Sequence, residues 1–205
     1  MDLANPETNA IPGVHCPCCD SEPTATTQTE YDVDHFGSVL LSVTTCKKCG
    51  YKHTDVFSLE KREPILIEAR IDSIADLDIK VIKSGTTTIR IPEFRATITP
   101  GPYSEGFITN VEGVLSKVED ALTFMLNSAE GARLRKGEKM LKEMRLAREF
   151  KPRFTLILAD PFGNCGLVSS DSSKIEKRKL SKRELQKIKF GRYASDSSSL
   201  VFGQD

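Results

Sequence analysis

The chain has 205 residues, 39% hydrophobic and 28% charged, with 29 basic side chains balancing 29 acidic ones for a formal net charge of zero. This composition suits one ordinary folded domain, or a small module joined to a medium one, and nothing in it forces disorder over the whole length. Zero net charge removes any global argument for nucleic-acid or membrane binding, and no apolar run approaches the roughly 18 residues of a membrane span.

Residues 1–13 hold two prolines and little apolar content, so they read as a flexible lead-in. They lack the basic start and apolar stretch of a secretion signal, which places the protein in the cytoplasm. In that reducing compartment the six cysteines, Cys16, Cys18, Cys19, Cys46, Cys49 and Cys165, serve metals or catalysis more often than disulfides.

Residues 14–62 read as a zinc ribbon. Cys16-x-x-Cys19 and Cys46-x-x-Cys49 are two knuckles of matched spacing. Zinc takes four ligands in a tetrahedron and favours thiolates, and two knuckles brought together by antiparallel strands close such a site. The expected cofactor is therefore one structural Zn2+ held by Cys16, Cys19, Cys46 and Cys49. With all four positions filled by sulfur, none is open to activate water. Cys18 could compete with Cys19, but only Cys19 gives the same spacing in both knuckles. A thiol-exchange role fits poorly, because no βαβ pattern surrounds either pair. His15 and His53 flank the knuckles and read first as ordinary surface or part-packed histidines. Gly50, just after the second knuckle, is expected at positive φ. Strands are expected at 39–43 and 54–59, and the 26 residues between Cys19 and Cys46 should form a hairpin projecting beyond the metal.

Residues 63–170 carry a second pattern. Apolar and β-branched alternation predicts strands at 65–71, 79–83, 86–91 and 94–99, which argues for a sandwich or a β-helix-like roll. The period then changes. Thr109-Asn-Val-Glu112 reads as a helix start with Thr109 as cap, and apolar residues recur at helical spacing to Leu126. A second, strongly charged helix with a thin apolar stripe follows over about 129–150, giving a helical hairpin at about 109–150 inserted among strands. Strands at 154–159 and 165–168, joined by the turn Asp160-Pro-Phe-Gly-Asn164, close the domain. Cys165 is expected to fill space in it.

Residues 171–205 read as a basic, partly disordered tail. Nine basic residues fall between Lys174 and Arg192, against Glu176 and Glu184. Such a segment is either a nucleic-acid or ribosome anchor or a wet helix with Leu180, Leu185 and Ile188 resting on the domain. No catalytic residue is singled out. Asp160 is better explained by its turn, and the histidines, His15, His35 and His53, all precede the roll, so a histidine metal site within it is unavailable.

The order of these segments resembles the ZPR-type zinc-finger family, in particular its single-copy archaeal branch. The resemblance runs from about Val14 to Val168. It is carried by Cys-Pro-x-Cys at 16–19, Cys46-Lys-Lys-Cys-Gly-Tyr51, Val81-Ile-Lys-Ser-Gly-Thr-Thr-Thr-Ile-Arg-Ile-Pro-Glu-Phe94, Thr109-Asn-Val-Glu-Gly113 and Phe154-Thr-Leu-Ile-Leu-Ala-Asp-Pro-Phe-Gly-Asn164. It implies a fold that is mainly β with α: a four-cysteine zinc ribbon followed by a double-stranded β-helix (β-roll) domain with an inserted helical hairpin. It also implies a non-enzymatic, chaperone-like adaptor that binds translation elongation factor 1A, as two-unit eukaryotic relatives do. The alternative is a zinc ribbon that binds nucleic acid or the ribosome through the tail. Cys18 and the tail after Lys174 depart from the family pattern.

Overall fold

The computed structural model describes residues 7–10 by their backbone, and residues 15–22, 24–33, 36–60, 62–101, 104–149 and 153–188. Four strands form the first sheet: β1 (Glu7–Ala10), β2 (Thr24–Val33), β3 (Gly37–Cys46) and β4 (Lys52–Ser58). They lie in that order and every pairing is antiparallel. The threonines of β2 suit an extended, half-buried chain. Residues 7–10 fall within the expected lead-in, yet their backbone pairs with β2 from Glu7 opposite Gln28 to Ala10 opposite Ala25. Without them the edge of β2 would present a row of unpaired peptide groups.

The roll follows as β5 (Ile65–Ile71), β6 (Lys80–Lys83), β7 (Thr88–Ile91), β8 (Ala96–Ile98) and β9 (Phe107–Asn110), then α1 (Val111–Leu126) and α2 (Gly131–Glu149). It ends with β10 (Phe154–Asp160), β11 (Gly166–Val168), β12 (Ile175–Lys179) and α3 (Lys182–Lys187). One sheet has the order β12-β5-β10-β7-β8 and the other β11-β6-β9. Ile67, Ala69 and Ile71 of β5 and Leu156 and Leu158 of β10 point from the large sheet into the main core. Val81 and Leu167 meet them from the small sheet. The apolar stripe of α1, Val111, Val114, Leu115 and Val118, closes the core, with Met144 of α2. Burying each such side chain stabilises by about 1.5–3 kcal/mol, so this cluster dominates the fold's stability. On α2, only Gly137 and Met144 are buried, as its thin stripe predicts.

Three expectations are corrected. Thr109 belongs to β9, and the cap of α1 is Asn110, whose side-chain oxygen accepts from the Gly113 amide at 2.9 Å. The strand expected at 94–99 shortens to β8, because Pro92–Phe94 forms a 3-10 turn that ends with Arg95 at φ +48°. The first part of the basic tail joins the large sheet: β12 pairs with β5 from Ile175 opposite Ala69 to Lys179 opposite Ile65. Leu180 is then buried against Leu66 and Ala159, with Leu185 and Ile188 packed on the same cluster. Residues 189–205 of the tail lie outside the described residues.

The ribbon is anchored to the roll by its far end. The β2–β3 hairpin carries Val33, Phe36 and Val39 away from the cysteines, and these pack with Val56 of β4 and Ile82 of β6. Arg62 covers the Phe36 ring at 4.1 Å from its centre and donates to the Phe36 carbonyl.

Candidate metal centre

Each knuckle is a tight turn with the same hydrogen bonding. In the first, the Asp20 amide donates to the Cys16 carbonyl at 2.9 Å and the Cys16 amide to the Ser21 carbonyl at 3.1 Å. In the second, the Gly50 amide donates to Cys46 at 3.0 Å and the Cys46 amide to Tyr51 at 2.8 Å. The residue after the last cysteine of each turn is left-handed, Asp20 at φ +54° and Gly50 at φ +75°, as expected for Gly50. β2 and β3 bring the turns together, with Thr24 directly opposite Cys46.

The sulfurs of Cys16, Cys19, Cys46 and Cys49 all lie within 4.8 Å of one another. Cys16 Sγ is 3.5 Å from Cys49 Sγ, and Cys19 Sγ is 3.7 Å from Cys46 Sγ. Four sulfurs at about 2.3 Å from a tetrahedral zinc ion stand about 3.8 Å apart, so the cluster fits that ion. It is positioned to coordinate a single structural Zn2+.

Hydrogen bonding and mutual repulsion act on the sulfurs in opposite senses. Hydrogen bonding by the Ser21 hydroxyl, then by the Cys49 amide, holds the Cys46 thiol down at about 6. The Tyr51 amide pulls Cys49 the same way, but desolvation and the three neighbouring sulfurs push it up to about 12. Thiolates this close repel one another unless a cation lies among them. The Ser21 oxygen is 3.1 Å from Cys19 Sγ and 3.3 Å from Cys46 Sγ, bridging the knuckles. Sequence reasoning passed over Ser21, since nothing in the spacing marks a hydroxyl two residues past a ligand.

Cys18 is exposed, and its amide donates to Cys16 Sγ at 3.4 Å. Its backbone supports the site while its thiol stays outside the cluster. The His15 ring meets the Asp20 carbonyl at 3.2 Å and the Glu22 carboxylate at 3.1 Å, and the His53 ring stacks on Tyr51. Cys165 is buried in the main core, where desolvation pushes its thiol well above the ordinary value.

A second polar centre lies where ribbon and roll meet. Asp160 is 0% exposed. Its carboxylate accepts from the hydroxyls of Ser84 at 2.6 Å, Thr86 at 3.0 Å and Thr87 at 2.7 Å, and from the Phe162 amide at 2.8 Å. It thus shapes its own turn, as expected, and also holds the 84–87 loop. Lys83, 3% exposed, donates to the Ser84 and Glu105 carbonyls and the Ser104 hydroxyl at 2.8–3.0 Å. From the ribbon, Asp55 accepts from the Gly85 amide at 2.7 Å, and the Thr54 carbonyl accepts from the Gly106 amide at 2.9 Å. A side chain at Gly106 would collide with the backbone of Asp55 and Val56.

Comparison with known proteins matches residues 11–63 to the ZPR1 zinc-finger domain and residues 75–192 to the ZPR1 jelly-roll domain. An uncharacterised ZPR1-like protein of Methanocaldococcus jannaschii is 38% identical, over 86% of this chain and 88% of its own length. A second, from Pyrococcus horikoshii, is 36% identical over 87% of this chain and 81% of its own length. The zinc finger chaperone zpr1 of Schizosaccharomyces pombe is 31% identical over 71% of this chain, which spans 33% of that longer protein. No helix among the described residues is long and apolar enough to cross a membrane. With paired knuckles on a four-stranded ribbon, a jelly-roll carrying a helical hairpin, and these matches over both parts, the chain belongs to the ZPR1 zinc-finger family.

Proposed function

We propose that Cys16, Cys19, Cys46 and Cys49 are the thiolate ligands of one zinc ion, and that the ribbon they hold acts with the roll as a chaperone-like adaptor. Its partner on this reading is a GTPase of the translation elongation factor 1A type, met in the cytoplasm, where the cysteines stay reduced. The observation that carries the reading is the convergence of four sulfurs at zinc-like separations in a chain of the ZPR1 family. The fission-yeast relative is named a zinc finger chaperone. A closed four-sulfur site holds shape without offering a position to substrate, which suits binding more than chemistry. The match to archaeal relatives over 88% and 81% of their length supports placing the chain in the single-copy archaeal branch.

The nucleic-acid alternative rests on the basic tail, and three of its cations are engaged. Lys174 pairs with Asp72 and Asp76, Arg178 with Glu184, and Lys179 with Glu63. The test is a pull-down of the GDP-bound elongation factor from the same organism by zinc-loaded protein. Retention at micromolar concentration is expected. No retention, combined with steeply salt-dependent RNA binding that is lost on deleting 174–205, would replace the adaptor reading with the nucleic-acid one.

A further inference from the structure

The two knuckles share their backbone hydrogen bonding and differ in one side chain. In both, the peptide amide two residues past a cysteine donates to that sulfur: Cys18 to Cys16, Lys48 to Cys46, Ser21 to Cys19 and Tyr51 to Cys49. These donors come with the turn and ask nothing of the side chains. Ser21 and Tyr51 occupy matching places, since their carbonyls accept from the Cys16 and Cys46 amides. The Tyr51 ring stacks on His53. The Ser21 hydroxyl lies against the cluster, 3.1 Å from Cys19 Sγ and 3.3 Å from Cys46 Sγ.

Cys19 belongs to the first knuckle and Cys46 to the second, so this one oxygen spans the joint between them. Ser21 is half-buried and Cys46 is buried. A thiolate carries no proton, so toward a deprotonated cluster the hydroxyl is the donor, and its single proton is shared between the two sulfurs. A hydrogen bond to an ionised acceptor is stronger than one between neutral groups, and it draws off negative charge. That charge opposes packing four sulfurs within 4.8 Å of one another, and it makes a thiolate open to electrophiles.

We propose that Ser21 is a positioning residue for the metal: its hydroxyl holds the Cys19 and Cys46 sulfurs together across the two knuckles, tightens zinc retention and damps the reactivity of both thiolates. The inference rests on the four-thiolate reading above and adds to it the side chain outside the ligand set that tunes the site. Removing a partner of this kind changes metal affinity about 10- to 100-fold. The effect is directional. Cys19 and Cys46 lose a donor when the hydroxyl goes, while Cys16 and Cys49 keep the amides of Cys18 and Tyr51.

The experiment compares the native full chain with Ser21→Ala and Ser21→Thr. Zinc affinity is read by competition with a chromophoric chelator, and cobalt(II) in place of zinc reports the sulfur-to-metal charge-transfer band. Ser21→Ala is expected to weaken zinc binding about tenfold. It should move the cobalt band to longer wavelength, because a thiolate without its donor gives up charge more readily. It should also speed zinc release by N-ethylmaleimide, with the added labelling at Cys19 and Cys46. Exposed Cys18, labelled in every variant, is the internal reference. Ser21→Thr keeps the hydroxyl and should stay close to native in all three readouts. Unchanged affinity and cobalt band in Ser21→Ala, or an equal loss in Ser21→Thr, would overturn the inference while the native chain still holds one zinc. A native chain that holds no zinc would remove the four-thiolate reading, and this inference with it.

Discussion

Asp20 occupies a conformation that Gly50 occupies at the matching place in the other knuckle. Left-handed backbone costs an L-residue about 1–2 kcal/mol, less for Asp than for most, and glycine almost nothing. Replacing Asp20 by glycine should therefore stabilise the zinc-loaded protein by about 0.5–1 kcal/mol, read as a higher melting temperature, because its amide bond to the Cys16 carbonyl is kept. A lower melting temperature would show that the Asp20 side chain matters more than its backbone. Cys18 and Cys19 offer a sharper contrast. Cys18→Ser should retain one zinc per chain by elemental analysis, whereas Cys19→Ser should lose it, since only the Cys19 sulfur is in the cluster. The four cluster cysteines were legible because knuckle spacing is a local geometric demand. Ser21 was not, because its two sulfur contacts depend on how the knuckles face each other across the sheet.

At the scale of elements, the 84–87 loop shows how a buried charge organises a turn. Asp160→Ala would leave the hydroxyls of Ser84 and Thr87 without their carboxylate acceptor and should cost about 3–5 kcal/mol in denaturant unfolding. An effect below about 1 kcal/mol would mean the loop is held by other contacts. Lys83 adds a pH signature. Burial, only partly offset by the charges of Asp55, Asp160 and Glu105, lowers its ammonium from the usual 10.5 to about 8. Between pH 8 and 10.5 the unfolded chain holds a proton at Lys83 that the folded chain has released, so the Lys83 contribution to stability rises with pH across that window, opposed above pH 9 by the buried Cys165 thiol, which keeps a proton that the unfolded chain loses. The cost of burying the charged form is fully present below pH 8. Read as the difference in urea unfolding between the native chain and Lys83→Met, that contribution should grow by about 3 kcal/mol across the window, and no difference in slope would show that Lys83 is not held uncharged there. Elements with strong internal period, such as α1 and the central strands β5 and β10, were legible along the chain. β9 and β12 were not: β12, Ile175–Lys179, is one apolar residue followed by four charged ones, and the free edge of β5 makes it a strand. Thr109 failed as a cap for a similar reason, because pairing of Val81 with Thr109 extends β9 and passes the cap to Asn110.

For the whole molecule, the consequential feature is how β4 joins the two halves. The second knuckle ends at Gly50, β4 starts at Lys52, and three residues later Asp55 accepts the Gly85 amide of the roll. The same strand packs Val56 against Ile82 and presents the Thr54 carbonyl to Gly106. A module as small as the ribbon draws much of its folding energy from its metal, so loss of zinc should free β4 and with it these junction bonds. Chelation is therefore expected to speed amide exchange at Gly85 and Gly106, well away from the cysteines, while the main-core amides of β5 and β10 stay protected. In Asp55→Ala the Gly85 amide should exchange fast whether or not zinc is bound, because its acceptor is gone, while Gly106 keeps its zinc dependence through the Thr54 carbonyl. If chelation changed exchange only within residues 15–51, the ribbon would be an independent bead. The half-buried Asp55–Gly85 bond would then be a static joint, with no transmission of metal binding to the roll.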